Sequence, residues 1–89
     1  MRAIVTVIAK DRVGIIAEVS TMLVAHQVNI LDLNQTILQE FFTMTMLVDT
    51  SMSTTPFAEL VQTLADSGKR AGLEIRMQRE DIFNAMHRI

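Results

Sequence analysis

The hydrophobic pattern of this chain switches between two periods in a fixed order, and that order leaves few folds open. Residues 2–9, RAIVTVIA, form a β-rich run with apolar side chains on both faces, as a strand in the middle of a sheet carries. From Val13 the period lengthens. Ile16, Val19 and Leu23, with Ile15 and Met22 beside them, fall on one side of a helix, while Glu18 and Thr21 face away and HQVN ends it. NILDLNQTIL at 29–38 and FFTMTMLVD at 41–49 return to alternation. The second of these runs sets Phe42, Met44, Met46 and Val48 against Phe41, Thr43, Thr45 and Leu47. So few residues separate the two runs that they should form an antiparallel hairpin.

After the polar loop TSMSTT, Thr55 and Pro56 read as the cap and first position of a second helix. Phe57, Leu60, Val61, Leu64 and Ala65 give it one buried stripe, and Gly68 and Gly72 close it. LEIRMQ at 73–78 alternates Leu73, Ile75 and Met77 against Glu74, Arg76 and Gln78. The tail at 80–89 reads as a short amphipathic helix with Ile82, Phe83 and Met86 together. The order strand, helix, strand, strand, helix, strand is two βαβ units. Interleaved, they make an α+β, ferredoxin-like βαββαβ fold: a four-stranded antiparallel sheet with two helices on one face and a short C-terminal helical tail. At 89 residues the chain is read as one domain, 1–89. A domain of this size buries only about 60% of its unfolded surface, so association would help it.

Composition removes several function classes. There is no cysteine, so disulfides, thiolate nucleophiles and Cys-based metal sites are excluded, and no cofactor or metal is expected. No run approaches the roughly 20 apolar residues of a membrane span, and nothing at the start reads as a cleavable signal, so a cytoplasmic protein with no membrane partner is expected. Net charge is −2, the basic residues are scattered, and Trp and Tyr are absent, so nucleic acid is not an expected partner.

Catalytic residues are hard to find. KDRVG has one glycine, too few to wrap a phosphate with successive amides. Ser20 and Ser67 have no adjacent base, and His26 reads as a helix C-terminal residue. No catalytic residue is assigned, and the chain reads as a non-enzyme.

AKDRVGIIAEVSTML at 9–23, followed by VNILDLNQ and by FFTMTMLVD, resembles an ACT domain, the amino-acid-sensing regulatory module. The resemblance covers essentially the whole chain. The start MRAIVTVIAKDRVGI and the ending DIFNAMHRI are similar to the small stand-alone ACT-domain proteins of bacteria and archaea. One residue departs from the common pattern: Val13 stands where many ACT domains have proline before the glycine.

The resemblance implies an effector site where the first loop and helix start of one subunit face the second strand of a neighbour. It makes Asp11, Arg12, Val13, Gly14, Ile15, Asn29 and Ile30 the ligand-binding candidates. Amides around Gly14 and Ile15, at the positive end of a helix, suit a carboxylate. Asp11 suits an ammonium group, and Asn29 can donate or accept beside it. Each residue also has a plainer reading. Asp11 could cap the helix, Gly14 could serve close packing, and Asn29 could be a turn residue. The expected partners are a second copy of the chain (a homodimer or higher), a small amino acid or related carboxylate, and a separate metabolic enzyme or regulator. The alternative is an assembly subunit of the same fold that binds no ligand.

Overall fold

A computed structural model describes residues 1–81. Strands β1 (Arg2–Lys10), β2 (Asn29–Leu38), β3 (Phe41–Asp49) and β4 (Glu74–Arg79) form one antiparallel sheet in the order β2-β3-β1-β4. Helices α1 (Ile15–Ala25) and α2 (Phe57–Ala71) cover one face, and the molecule is a slab of 35 × 34 × 20 Å. This is the expected ferredoxin-like βαββαβ order. The helical reading of the tail lies outside the described residues.

Alternation along each strand decides what the helices cover. Ala3, Val5 and Val7 of β1 are buried against the helices, as are Phe42, Met44, Met46 and Val48 of β3 and Ile75 and Met77 of β4. Ile4, Thr6 and Ile8 of β1 fall on the other face, which no helix among the described residues covers. No polar or charged side chain is buried among the described residues. No helix among them is long and apolar enough to cross a membrane.

Several sequence expectations shift in detail. The buried stripe of α1 is Ile15, Val19 and Leu23, spaced four apart, and Ile16 is exposed at 39%. The helix starts one residue after Gly14, so its first buried position is Ile15 rather than Ile16. Thr55 does not cap α2. The helix begins at Phe57, no side-chain hydrogen bond closes its start, and the Thr55 hydroxyl lies 3.4 Å from His26 Nδ1. Pro56 keeps an extended ψ of 146°, and its carbonyl accepts the first helical bond, from Leu60 N–H at 2.9 Å.

Both helices end alike. Gln27 and Gly72 take left-handed φ values of 59° and 77°. Val28 N–H then bonds Leu23 O at 3.0 Å, and Leu73 N–H bonds Gly68 O at 2.7 Å. These are the six-to-one bonds of a Schellman stop, and the buried Val28 and Leu73 supply its apolar contact. In each half the stop turns the chain straight into the next strand.

Gly72 closes α2 as expected, but Gly68 has a different role. It is buried within the helix, and a Cβ there would lie 2.8 Å from Ile75 Cγ1 and 2.9 Å from the Leu73 carbonyl oxygen. Glycine lets α2 lie directly on β4. Gly68→Ala should therefore destabilise the protein, because overpacking costs about 1–3 kcal/mol and opposes a helix-propensity gain of about 1 kcal/mol. Urea unfolding checks this, and a stabilised variant would mean that β4 yields freely.

Candidate functional site

The β1–α1 loop is fastened from two sides. Asp11 N–H bonds the Glu40 carbonyl in the β2–β3 turn at 2.6 Å. Arg12 reaches the other way, donating to the Ala71 carbonyl at the end of α2 at 2.9 Å and pairing with the Glu18 carboxylate. A guanidinium at helix-terminal carbonyls is favoured by the negative end of that helix. Asp11 and Arg12 thus hold the loop at the junction of hairpin, α1 and α2.

Gly14 starts α1 in the left-handed region, with φ 92° and ψ 2°. A Cβ built there meets nothing within 4 Å, so the packing expectation for Gly14 is overturned. The need is conformational, since L side chains are disfavoured at this φ. No side chain caps the first turn. Among the described residues, the amides of Ile15, Ile16 and Ala17 have no protein acceptor, and Glu18 N–H is the first to bond back, to Gly14 O at 2.9 Å. The capping expectation for Asp11 is overturned as well. Its carboxylate is exposed and takes no hydrogen bond or ion pair among the described residues.

These groups open into a cleft of about 230 Å³. The loop side is Asp11, Arg12 and Gly14, and the helix side is Ile15, Ile16 and Ala17. The floor comes from the sheet: Gln35 and Ile37 of β2 with Phe42 of β3. Gln35 lies opposite Met44 and Ile37 opposite Phe42, so both β2 residues sit on the helix-covered side. The cleft has charges at its mouth, free amides at one wall and an apolar base.

Of the candidate residues, Asp11, Arg12, Gly14 and Ile15 meet here. Val13 belongs to the same loop but is 98% exposed and does not line the cleft. Asn29 and Ile30 do not reach the cleft within one chain. They start β2, opposite Asp49 and Val48, whereas the cleft uses its far end. Eight residues of strand separate Asn29 from Ile37, about 26 Å. Sequence reasoning did not single out Gln35, Ile37 or Phe42. A usable signal was present: counting back from the two-residue turn at 39–40 puts Ile37 opposite Phe42, beside the end of β1.

A larger hollow of about 410 Å³ lies where β1 and β4 meet the loop after β3, lined by Met1, Arg2, Asp49, Ser51, Arg79, Glu80 and Asp81. Its charges answer one another: Arg2 pairs with Glu80 at 2.8 Å and Arg79 with Asp81 at 2.9 Å. Hydrogen bonds from the Ser51 hydroxyl and amide hold the Asp49 carboxyl below its ordinary pKa. Such a self-paired polar hollow leaves little unmet demand for a ligand. No group of three or more His, Cys, Asp or Glu that could hold a metal occurs among the described residues.

The sequence profile of the family described as ACT domain matches residues 2–78. The chain belongs to the ACT domain family. It is 52% identical over 89 residues to a UPF0237 protein of Clostridium acetobutylicum, covering 100% of both chains. It is 43% identical over 88 residues to a UPF0237 protein of the archaeon Methanopyrus kandleri, covering 99% of this chain and 98% of that one. Among solved structures, an ACT domain protein from Streptococcus pneumoniae superimposes with a TM-score of 0.83 at 38% identity, covering 98% of each chain. The resemblance to the small ACT-domain proteins of bacteria and archaea therefore holds. In this ACT domain the cleft lies at the β1–α1 loop that carried the resemblance.

If Gly14 is needed for its backbone angle alone, Gly14→Ala should cost about 1–2 kcal/mol of stability. Gly14→Asn should cost less, because asparagine tolerates the left-handed region better. Chemical denaturation of the two variants checks this, and equal losses would point to a contact missed by the geometry.

Proposed function

We propose that this ACT domain is a non-enzymatic, cytoplasmic regulatory module. It binds a small amino acid or related carboxylate at the β1–α1 cleft and signals to a separate enzyme or regulator. One observation carries the reading: an uncapped, amide-lined helix start faces a cleft whose mouth holds the unengaged Asp11 carboxylate. The amides and the positive helix end suit a carboxylate, and Asp11 suits an ammonium. Those are the two ends of an amino acid. The apolar base of Ile15, Ile37 and Phe42 suits the remainder of a small ligand.

The β2 edge supports assembly. Leu31, Leu33, Ile37 and Leu38 are exposed along β2, which is an edge strand of the sheet among the described residues, an arrangement that isolated domains avoid. In the proposed homodimer, antiparallel pairing of two β2 strands sets the start of one beside the end of the other. Asn29 and Ile30 of a second copy then approach the cleft that they cannot reach within their own chain. Ile30 lies opposite Val48 on the helix-covered side, so its side chain extends the apolar wall, while Asn29 follows at the seam. The same exposed edge is the feature that favours the second reading, an assembly subunit that binds no ligand.

Titration calorimetry against the twenty L-amino acids separates the two readings. A ligand should bind, and Asp11→Ala should weaken it by about ten- to hundredfold, the range for one charge-assisted hydrogen bond. The melting temperature of Asp11→Ala should stay unchanged because Asp11 caps nothing. Light scattering at micromolar concentration should give at least a dimer mass. A protein that assembles but binds none of the twenty is the assembly subunit, and a monomer removes the shared site.

A further inference from the structure

We propose that Gln35 selects the ligand: its carboxamide bonds a polar group on the ligand's side chain, so the cleft takes a short polar amino acid in preference to an apolar one of the same shape. The proposal rests on the reading of this cleft as an amino-acid site, and it adds which residue decides between amino acids. The helix-start amides and Asp11 address the carboxylate and the ammonium, which every amino acid carries. Discrimination therefore falls to the rest of the lining. Ile15, Ile16, Ala17, Ile37 and Phe42 are apolar, and Arg12 is committed to Glu18 and to the Ala71 carbonyl. Gln35 is the polar side chain that remains, and it has no hydrogen-bond partner among the described residues.

Its place breaks a pattern. Leu33, Gln35 and Ile37 lie opposite Met46, Met44 and Phe42, so all three fall on the helix-covered side of β2. A polar residue between two apolar ones on that side is at odds with simple burial. It stands where the strand borders the cleft. The bulge at Leu31 brings it there, and bulges re-aim side chains beside functional sites. A carboxamide both donates and accepts, so it can bond a hydroxyl or another carboxamide. An apolar side chain in the same space would displace water from Gln35 and leave it unpaired. Size narrows the class further. The cleft holds about 230 Å³, roughly the liquid volume of eight water molecules. That suits the smaller amino acids and not the aromatic ones.

L-threonine and L-valine share one shape and differ by a hydroxyl in place of a methyl, and L-asparagine and L-leucine stand in a similar relation. Titration calorimetry of the full chain with both pairs tests the proposal. Wild type should bind the polar member of a pair about three- to tenfold more tightly, the range that one neutral hydrogen bond gives. Gln35→Met keeps the length of the side chain and removes its amide, so it should level or reverse that preference. Because Gln35 is exposed, the substitution leaves the core untouched. Equal or stronger binding of the apolar member by wild type overturns the selector role and leaves the amino-acid site standing. A preference that survives in Gln35→Met assigns selection to another group and overturns the proposal. So does an equal loss for both members, which would put Gln35 on the ends that all amino acids share. Binding confined to aromatic or charged amino acids overturns the ligand class, and binding of none of the twenty overturns the proposal together with the reading on which it rests.

Discussion

β1 bonds β3 along one edge and β4 along the other, with Val5 opposite both Met46 and Met77. That central position is what the rest of the molecule is built around. A strand paired on both sides has no free backbone groups, so its side chains decide where the remaining layers go. Ala3, Val5 and Val7 must be covered, and α1 and α2 are the helices that do so among the described residues. The second face of β1 carries Ile4, Thr6 and Ile8, which tolerate partial exposure better than the first set. Because both neighbours of β1, β3 and β4, come from the second βαβ half of the chain, neither half can complete the sheet alone.

The same arrangement creates the candidate site. Lys10, the last residue of β1, lies opposite Phe41, so the loop that follows emerges beside the hairpin turn and is bonded to it through Asp11 and Glu40. The chain must then reverse to send α1 back across the sheet. Gly14 makes that reversal in a left-handed conformation, which leaves the start of the helix without a cap. An uncapped helix start would ordinarily be a defect, since its amides stay unpaired. Here it faces a cleft, and the unpaired amides are what give the cleft its chemistry. Arg12 then ties this local feature to α2, a helix from the other half of the chain.

β2 shows how a small irregularity redirects a face. The pairing with β3 slips between Ile30 and Asp32, leaving Leu31 as an extra residue. Without that bulge Asp32 would sit on the helix-covered side and Leu33, Gln35 and Ile37 on the other, because a one-residue shift turns every side chain over. With it, Asp32 lies opposite Leu47 on the uncovered face, and Gln35 and Ile37 come to the base of the cleft. Simple alternation in NILDLNQTIL does not reveal the bulge. The irregularity was invisible to pattern because leucine suits either face of an edge strand.

The sequence by itself determined the order of elements, the hairpin boundaries at 29–38 and 41–49, and the inward faces of β3 and β4. These follow from period and from a two-residue turn, which are local properties. It also marked the Asp11–Gly14 loop and, through its resemblance, the ACT family. What only the tertiary structure decided were the matters in which distant segments meet. Gly68 is glycine because Ile75 and Leu73 lie against it, a contact that no helical pattern reports. Gln27 takes the left-handed turn at the end of α1 despite carrying a side chain, because the Val28 bond and the buried Val28 side chain support it. Arg12 pairs with Glu18 and Ala71 rather than standing free, and Asn29 lies a strand's length from the loop it was grouped with. Such outcomes depend on register and on packing between halves, so they are fixed only when the sheet closes around β1.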